Sequence, residues 1–172
     1  SVPQGYVDAY QTFVDGGWPA LASPAEFGGM GLPGILAAAV GELITGACPA
    51  FAMYPGLTRG AANLLAHYAP SDWRALVCEK MFCGEWGGTM CLTEPGAGSS
   101  VGDARTKASH SDTPGVYLLE GEKIFISSGD HDLTENIIHL VLARVPGAPS
   151  GTRGLSLFMV PKYAFDFETG EL

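Results

Sequence analysis

The stretch MCLTEPGAGSS at residues 90–100 separates two halves of the sequence that have different patterns. An apolar run typical of a strand ends at Leu92, and a loop begins at Thr93. Successive backbone N–H groups, followed by the hydroxyls of Ser99 and Ser100, would form an anion-binding nest suited to a phosphate. The same residue types are also common in ordinary turns, so composition alone leaves both interpretations open.

Proline and glycine set the backbone properties of this loop. Pro95 fixes its own φ and biases Glu94 towards an extended conformation. Gly96 and Gly98 permit a positive φ and the close approach of a ligand to the backbone. The loop matches no common motif, because a strand pattern follows at 105–108 where GxGxxG needs a helix, and neither a P-loop nor GxSxG is present.

Before residue 85, apolar residues recur at helical spacing between proline and glycine breaks. We expect helices around 7–14, at 35–48, at 57–68 and at 72–82, the last with Ser71 as its N-cap. These segments predict a helical domain at 1–85.

After residue 85 the patterns are those of strands. The expected strands are at 90–92, 105–108, 117–119, 123–127, 137–143 and 155–160. Long consecutive runs of one element type favour an α+β fold over alternating βαβ units. The sequence therefore predicts a β domain at 86–172.

The composition is that of a globular, acidic protein. Hydrophobic residues make up 47% of the 172 residues and charged residues 16%, with a mean hydropathy of +0.18, which excludes a disordered chain. The formal net charge of −9 excludes bulk electrostatic binding to nucleic acid or to an anionic membrane. The apolar stretch at 34–52 is interrupted by Glu42 and Pro49, so no membrane span is expected.

The cysteines and histidines predict neither disulfides nor a metal site. No CxxC pair is present, and free thiols in a reducing, cytoplasmic compartment are the simplest interpretation. The histidines show no HxH or HExxH spacing. His131, between Asp130 and Asp132, is expected to be a loop residue held by these acids.

Four segments resemble, in chain order, segments of the flavin-dependent acyl-CoA dehydrogenases. The run TEPGAGS at 93–99 is similar to the signature of that family. The run GWPALASPAEFGGMGL at 17–32 resembles its early glycine-rich segment, and LEGEKIFISSG at 119–129 resembles its LxGxKxWITNG strand pair. The run GDHDLTENIIHLVLAR at 129–144 resembles the branch that contains 3-methylmercaptopropionyl-CoA dehydrogenases.

The resemblance implies a helical N-terminal domain, part of an antiparallel β-barrel or sandwich domain, and a C-terminal helical domain outside these residues. It implies FAD as cofactor and, in fatty acid metabolism, oxidation of an acyl-CoA to the trans-2-enoyl-CoA by removal of the α proton and hydride transfer to flavin N5. The base would belong to the absent domain. No catalytic residue is therefore expected here, and the chain alone is expected to be inactive.

By the same resemblance, five residues of the stretch 90–100 have cofactor or substrate roles. Leu92 and Thr93 would contact the pyrimidine side of the flavin, and Gly98 and Ser99 would approach its pyrophosphate. Ser99 would also lie near the substrate. Met90 would lie beside both the flavin and the acyl chain.

Two further residues would contact the flavin ring. Phe125 would cover the flavin face, and Ser127 would offer its hydroxyl near N5. Phe125 replaces the usual Trp of the family, which keeps a flat apolar cover but removes an indole N–H. Ser127 and Ser128 replace Thr-Asn, and Ser100 replaces a common Asp, so neutral polar contacts remain.

Three charged residues near the loop have two interpretations each. Glu94 could act in catalysis, but capping or salt-bridging the loop is the simpler role. Arg105 and Lys107 lie two apart on a predicted strand and therefore point the same way. They could assist an anionic ligand or form a solvated basic pair.

The resemblance also implies electron transfer to an electron-transfer flavoprotein or a similar acceptor, and a homo-oligomer. Two alternatives stay open. One is an oxygen-using relative, either an acyl-CoA oxidase or a flavin monooxygenase. The other is a non-catalytic binding module that keeps the fold.

Overall fold

Helices fill the first half of the chain and strands the second, which confirms the predicted α+β class. The computed structural model describes residues 2–172. The helices are α1 (Tyr6–Asp15), α2 (Gly34–Ala47), α3 (Pro49–Tyr68) and α4 (Ser71–Cys83). The strands are β1 (Trp86–Cys91), β2 (Lys107–His110), β3 (Tyr117–Glu120), β4 (Asn136–Arg144) and β5 (Leu155–Pro161).

Two helix starts differ from the sequence prediction. α3 begins at Pro49, in the first turn where a missing N–H costs nothing, and continues through Pro55. Packing of α3 against α2 and α4 outweighs the cost of this internal proline. Pro70, rather than Ser71, is the N-cap of α4, and the Ser71 hydroxyl donates to Asp72 Oδ1 at 3.2 Å.

The strands form a five-stranded sheet in the order β1-β4-β2-β3, with β5 also paired to β4. β2 and β3 are an antiparallel hairpin in which Lys107 lies opposite Glu120 and His110 lies opposite Tyr117. β2 pairs with β4 in parallel, with Lys107 opposite Arg144. The sheet is therefore mixed, with both parallel and antiparallel pairs. The alternation of apolar and polar residues within a single strand does not predict which strands pair or in which direction.

The predicted strand at 123–127 is wrong. The backbone there is irregular, and Phe125 and Ser128 have φ angles of 57° and 55°. A left-handed φ at a non-glycine residue interrupts a strand, so the apolar pattern of this segment has another cause. β1 in turn begins at Trp86, earlier than predicted, because two glycines that follow it hide the strand pattern.

The chain forms two compact units that interleave along the sequence. The helical unit contains the chain up to Thr89 together with Ser127–Ile138 and Pro161–Leu172. The strand unit contains Met90–Ile126 and His139–Val160. The predicted domain boundaries, 1–85 and 86–172, follow the change from helices to strands along the sequence. As a division into domains they stay a proposal.

The core of the helical unit is supplied mainly by α3 and α4. Its buried side chains include Phe51, Ala61, Ala62 and Leu65 of α3 and Val77, Cys78, Met81 and Phe82 of α4. The N–H of Gly88 donates to Thr58 Oγ1 at 3.0 Å, which holds the start of β1 against α3. Burial of these apolar side chains is the main source of stability in this unit.

α2 presents an apolar surface. Ala37 is its buried residue, whereas Ile35 and Leu43 are each 74% exposed. Two cavities, of about 320 and 630 Å³, lie among the helices of this unit. The described residues that line them include none of the predicted cofactor contacts.

Candidate functional site

The loop after β1 begins with a tight turn. The N–H of Glu94 donates to the carbonyl of Ala97, and the N–H of Ala97 donates to the carbonyl of Glu94, each at 3.0 Å. Pro95 and Gly96 occupy the central positions, and proline suits the first of these because its φ is fixed near −65°. Neither Gly96 nor Gly98 has a positive φ. The loop therefore does not use the conformational freedom that these glycines permit.

Both loop glycines face open space. A Cβ atom at Gly96 or Gly98 would meet nothing within 4 Å, and both residues are exposed. Neither backbone conformation nor packing within the described chain requires glycine at these positions. Open backbone of this kind lets a ligand approach closely, which fits the predicted contact with a pyrophosphate.

The Glu94 carboxylate is the buried centre of the loop. Its Oε2 accepts the N–H of Arg105 at 2.6 Å, and its Oε1 accepts the N–H and the hydroxyl of Thr106 at 3.0 and 2.5 Å. The Lys123 ammonium also donates to Oε1 at 2.8 Å. The side chains of Glu94 and Lys123 are 7% and 11% exposed, so the two form a largely buried ion pair.

These contacts shift the acidity of Glu94. Burial raises the pKa of the carboxyl, but hydrogen bonds from the Arg105 N–H, Lys123 and Thr106 outweigh burial and hold the pKa at about 2. A carboxylate this weakly basic is a poor acceptor for a carbon-bound proton. The structure thus supports the loop-anchoring role of Glu94 over the catalytic one.

Lys123 joins the loop to the segment that carries Phe125. Besides its ion pair, the ammonium donates to the carbonyl of Leu92 at 3.0 Å. The N–H of Ile124 donates to the carbonyl of Thr93, also at 3.0 Å. Together these bonds hold the two segments side by side immediately before Phe125.

Two apolar side chains of the strand unit are exposed. Phe125 is 89% exposed and has the left-handed φ of 57°. Met90 is 36% exposed and is the exposed side chain among the six residues of β1. An exposed aromatic ring leaves a large apolar area in water, and such a ring is suited to covering a flat ligand.

The predicted hydroxyl contacts lie in different surroundings. Ser99 is exposed and Thr93 is half-buried, both in the strand unit. Ser127 is exposed and belongs to the helical unit. The Ser100 hydroxyl donates to Asp103 Oδ2 at 2.7 Å, and a carboxylate at that position disfavours a phosphate beside Ser100.

The chain is similar to known proteins in sequence and in fold. Residues 89–172 match the family described as Acyl-CoA dehydrogenase, middle domain. A 3-methylmercaptopropionyl-CoA dehydrogenase of Ruegeria pomeroyi is 50% identical over 161 residues, which cover 94% of this chain and 27% of that protein. The chain belongs to the acyl-CoA dehydrogenase family. The resemblance found in its motifs is confirmed.

Other acyl-CoA dehydrogenases agree in sequence and in fold. A butyryl-CoA dehydrogenase of Syntrophomonas wolfei is 45% identical over 162 residues, covering 94% of this chain and 26% of that protein. The crystal structure of an acyl-CoA dehydrogenase from Bacillus anthracis, complexed with FAD, has a TM-score of 0.75 and 27% identity over 91% of this chain and 25% of its own. The chain spans about a quarter of the length of these relatives.

Three other residues considered in the sequence analysis are Arg105, Lys107 and His131. Arg105 and Lys107 are exposed, which suits either interpretation of the basic pair. His131 is 7% exposed, and its Nδ1 accepts the N–H of Leu133 at 3.2 Å while its ring meets that of Tyr54 edge-on. This histidine is therefore packed inside the helical unit.

Residues 2–172 were also searched for metal sites and for membrane-spanning helices. Within that range, no three His, Cys, Asp or Glu side chains are grouped to hold a metal ion. No helix there is long and apolar enough to cross a membrane. The four cysteines are free thiols.

We call Glu94 and the residues that bond its carboxylate, namely Arg105, Thr106 and Lys123, the loop anchor. Two of its members in this acyl-CoA dehydrogenase chain, Lys123 and Thr106, were not predicted from the sequence. A signal for Lys123 exists, because it precedes the apolar run Ile-Phe-Ile at 124–126 and a lysine drawn into an apolar segment needs an acidic partner. Thr106 has no such signal. Its bonds to Glu94 depend on how the chain returns to the loop after a short helical turn.

Proposed function

We propose that this chain supplies one wall of the flavin site in a FAD-dependent acyl-CoA dehydrogenase. The whole protein would oxidise an acyl-CoA thioester to the trans-2-enoyl-CoA. The observation that carries this proposal is the match of residues 89–172 to the middle-domain family, because the exposed loop and Phe125 both lie within that match. The FAD-complexed relative from Bacillus anthracis supports the choice of cofactor.

The described residues fit a flavin nucleotide. Gly98 and Ser99 would hold the pyrophosphate, since backbone without a Cβ and an exposed hydroxyl both suit an anion. Leu92 and Thr93 would contact the pyrimidine edge. Phe125 would cover the ring, because its aromatic side chain is unpacked and exposed.

Two further contacts belong to the same proposal. Met90, exposed at the end of β1, would lie between the flavin and the acyl chain. Ser127, two residues after Phe125, would offer its hydroxyl near the position that accepts hydride. Both assignments come from the family motif.

Bound FAD would supply the two-electron acceptor for the oxidation. The residues of this chain would bind and orient the flavin and exclude water from it. The Phe125 ring would keep water from one flavin face, and the Thr93 and Ser99 hydroxyls would orient the polar groups of FAD. Removal of the α proton needs a base, and Glu94 is a poor one because its carboxylate already accepts four hydrogen bonds. The family resemblance places the proposed base outside this chain.

The family resemblance supports three wider proposals. Electrons from the flavin would pass to an electron-transfer flavoprotein or a similar acceptor. The whole protein would be a homo-oligomer. Its reaction would belong to fatty acid metabolism. A cytoplasmic location is proposed separately, from cysteines that form no CxxC pair and suit free thiols in a reducing compartment.

The purified whole protein tests the proposed activity. We expect a visible flavin spectrum that bleaches without oxygen when 3-methylmercaptopropionyl-CoA or butyryl-CoA is added, with reduction of an electron-transfer flavoprotein or a dye. The 172-residue chain alone should reduce no dye. Hydrogen peroxide formed in air at the rate of substrate oxidation would identify an oxidase instead, and a protein that binds neither flavin nor acyl-CoA would contradict the proposal.

A further inference from the structure

The ion pair of Glu94 and Lys123 connects three separate segments of the strand unit. Glu94 belongs to the loop after β1, its backbone donors come from 105–106, and Lys123 precedes the exposed Phe125. The two charged groups are almost fully buried. A buried charge is retained only where it has partners, and the partners of Glu94 lie on two other segments, 105–106 and the one that contains Lys123.

These contacts exceed what the turn itself requires. The turn is already closed by the two reciprocal backbone bonds between Glu94 and Ala97. The Glu94 side chain adds nothing to that closure, because all of its partners lie at positions 105, 106 and 123. Its contacts therefore fix where the turn sits relative to the neighbouring segments.

Phe125 lies directly after the segment that this ion pair holds. With 89% of its surface exposed, the ring has almost no packing to set its direction. Its left-handed φ is also costly for a residue with a side chain. Two bonds, from Lys123 to Leu92 and from Ile124 to Thr93, hold the backbone immediately before it.

We propose that Glu94 and Lys123 are positioning residues of the flavin wall. They hold the Thr93 backbone and the Phe125 ring in the orientation in which a flavin meets them, and they touch neither flavin nor substrate. The inference rests on the proposed flavin site. It assigns to the buried pair a role beyond stability, because loss of the pair would change the flavin environment even in a protein that stays folded.

The experiment compares variants of the whole protein with and without FAD. Glu94→Gln keeps the shape but removes the charge, and Glu94→Gln combined with Lys123→Met removes both charges so that no buried charge is left unpaired. Glu122→Gln is the matched control, because it makes the same change at an exposed carboxylate next to Lys123. The readouts are amide hydrogen exchange at Ile124 in the flavin-free protein, visible circular dichroism of bound FAD, and the thermal midpoint.

We expect amide exchange at Ile124 to be at least ten-fold faster in both Glu94 variants and unchanged in the control. Bound FAD should show an altered visible circular dichroism spectrum and at least ten-fold weaker binding. The double variant should recover most of the thermal midpoint without recovering either of these readouts, which separates positioning from stability. If the single variant does not fold, the double variant decides.

A folded double variant with the parent's Ile124 exchange and flavin spectrum would overturn the positioning role. A parent protein that binds no FAD would instead overturn the proposed function. In that case the exchange at Ile124 still decides whether the pair orders the segment before Phe125. The two failures are therefore distinguishable.

Discussion

Glycines in two neighbouring segments, β1 and the loop that follows it, occupy opposite environments. In β1, a Cβ at Gly88 would lie 2.5 Å from Met81 Cε and 2.9 Å from Ala61 Cβ. In the following loop, a Cβ at Gly96 or Gly98 would meet nothing. The glycine of β1 is explained by close packing inside the helical unit, whereas the glycines of the loop are explained by nothing that the described chain contains.

The difference extends to the forces that hold each segment. β1 is fixed by apolar packing and a neutral hydrogen bond from Gly88 to Thr58. The loop is fixed by a buried carboxylate and leaves its glycine backbone open. Open backbone beside a buried ion pair suits a ligand-binding surface, whereas the packed glycine of β1 does not, and the proposed flavin contacts therefore lie in the loop.

The largest effect is expected from Lys123→Met in the loop anchor. The substitution leaves the Glu94 carboxylate buried without its cation, and breaking a buried pair in this way costs about 3 kcal/mol or more. Chemical denaturation of the whole protein measures the loss. A change below 1 kcal/mol would show that the ion pair contributes little, and the contrast between the two segments would then lose its physical basis.

The pH dependence of stability should also come from the loop. The pKa of Glu94 falls from 4.5 to about 2 on folding, so the folded carboxylate stays ionised while the unfolded one binds a proton. Its contribution of about 3 kcal/mol is complete above pH 4.5 and is lost as the pH falls towards 2. Denaturation of the parent and of Glu94→Gln at pH 6, 4.5 and 3 should therefore show a difference that shrinks with acid. A difference in the free energy of unfolding that stays constant over these pH values would contradict the view that the folded protein holds Glu94 ionised.

A smaller and pH-independent effect is expected for β1. Gly88→Ala forces a methyl group against Met81 and Ala61, and overpacking of this kind costs about 1–3 kcal/mol. Movement of the flexible Met81 end favours the lower part of that range. The free energy of unfolding at pH 6 and at pH 4 measures the cost, and an effect that depends on pH would indicate that β1 is coupled to the charged anchor.

The smallest effect on stability is expected for Gly98→Ala. The added methyl group enters open space and the φ is not left-handed, so the free energy of unfolding should change by less than about 0.5 kcal/mol. The thermal midpoint of the flavin-free whole protein checks this. A large loss would show that packing needs this glycine after all, which would remove the distinction from Gly88.

The sequence predicts which helices and strands this fold contains better than it predicts the residues at which they begin and end. Four helices and most strands follow from apolar spacing, because that spacing reflects burial along one face. The start of α3 is missed, since Pro55 is read as a break while tertiary packing carries the helix through it. The pattern at 123–127 predicts a strand, but its Lys123 serves an ion pair and its Phe125 faces water.

The candidate site is predictable to a similar degree. The motif residues Thr93, Gly98 and Ser99 can be named from sequence because they are neighbours in one loop. The partnership of Glu94 with Lys123 joins residues 29 apart, and nothing local records such a contact. The anchor therefore needs a three-dimensional structure to be seen.

The central claim is that the open loop backbone is part of a flavin site, and one titration tests it most directly. Apoprotein prepared from the whole protein is titrated with FAD, and the parent is compared with Gly98→Val, whose larger side chain would occupy the open space beside the loop. The account predicts saturable binding by the parent, at least ten-fold weaker binding by the variant, and equal thermal midpoints for the two apoproteins. Equal FAD affinity for both would contradict it.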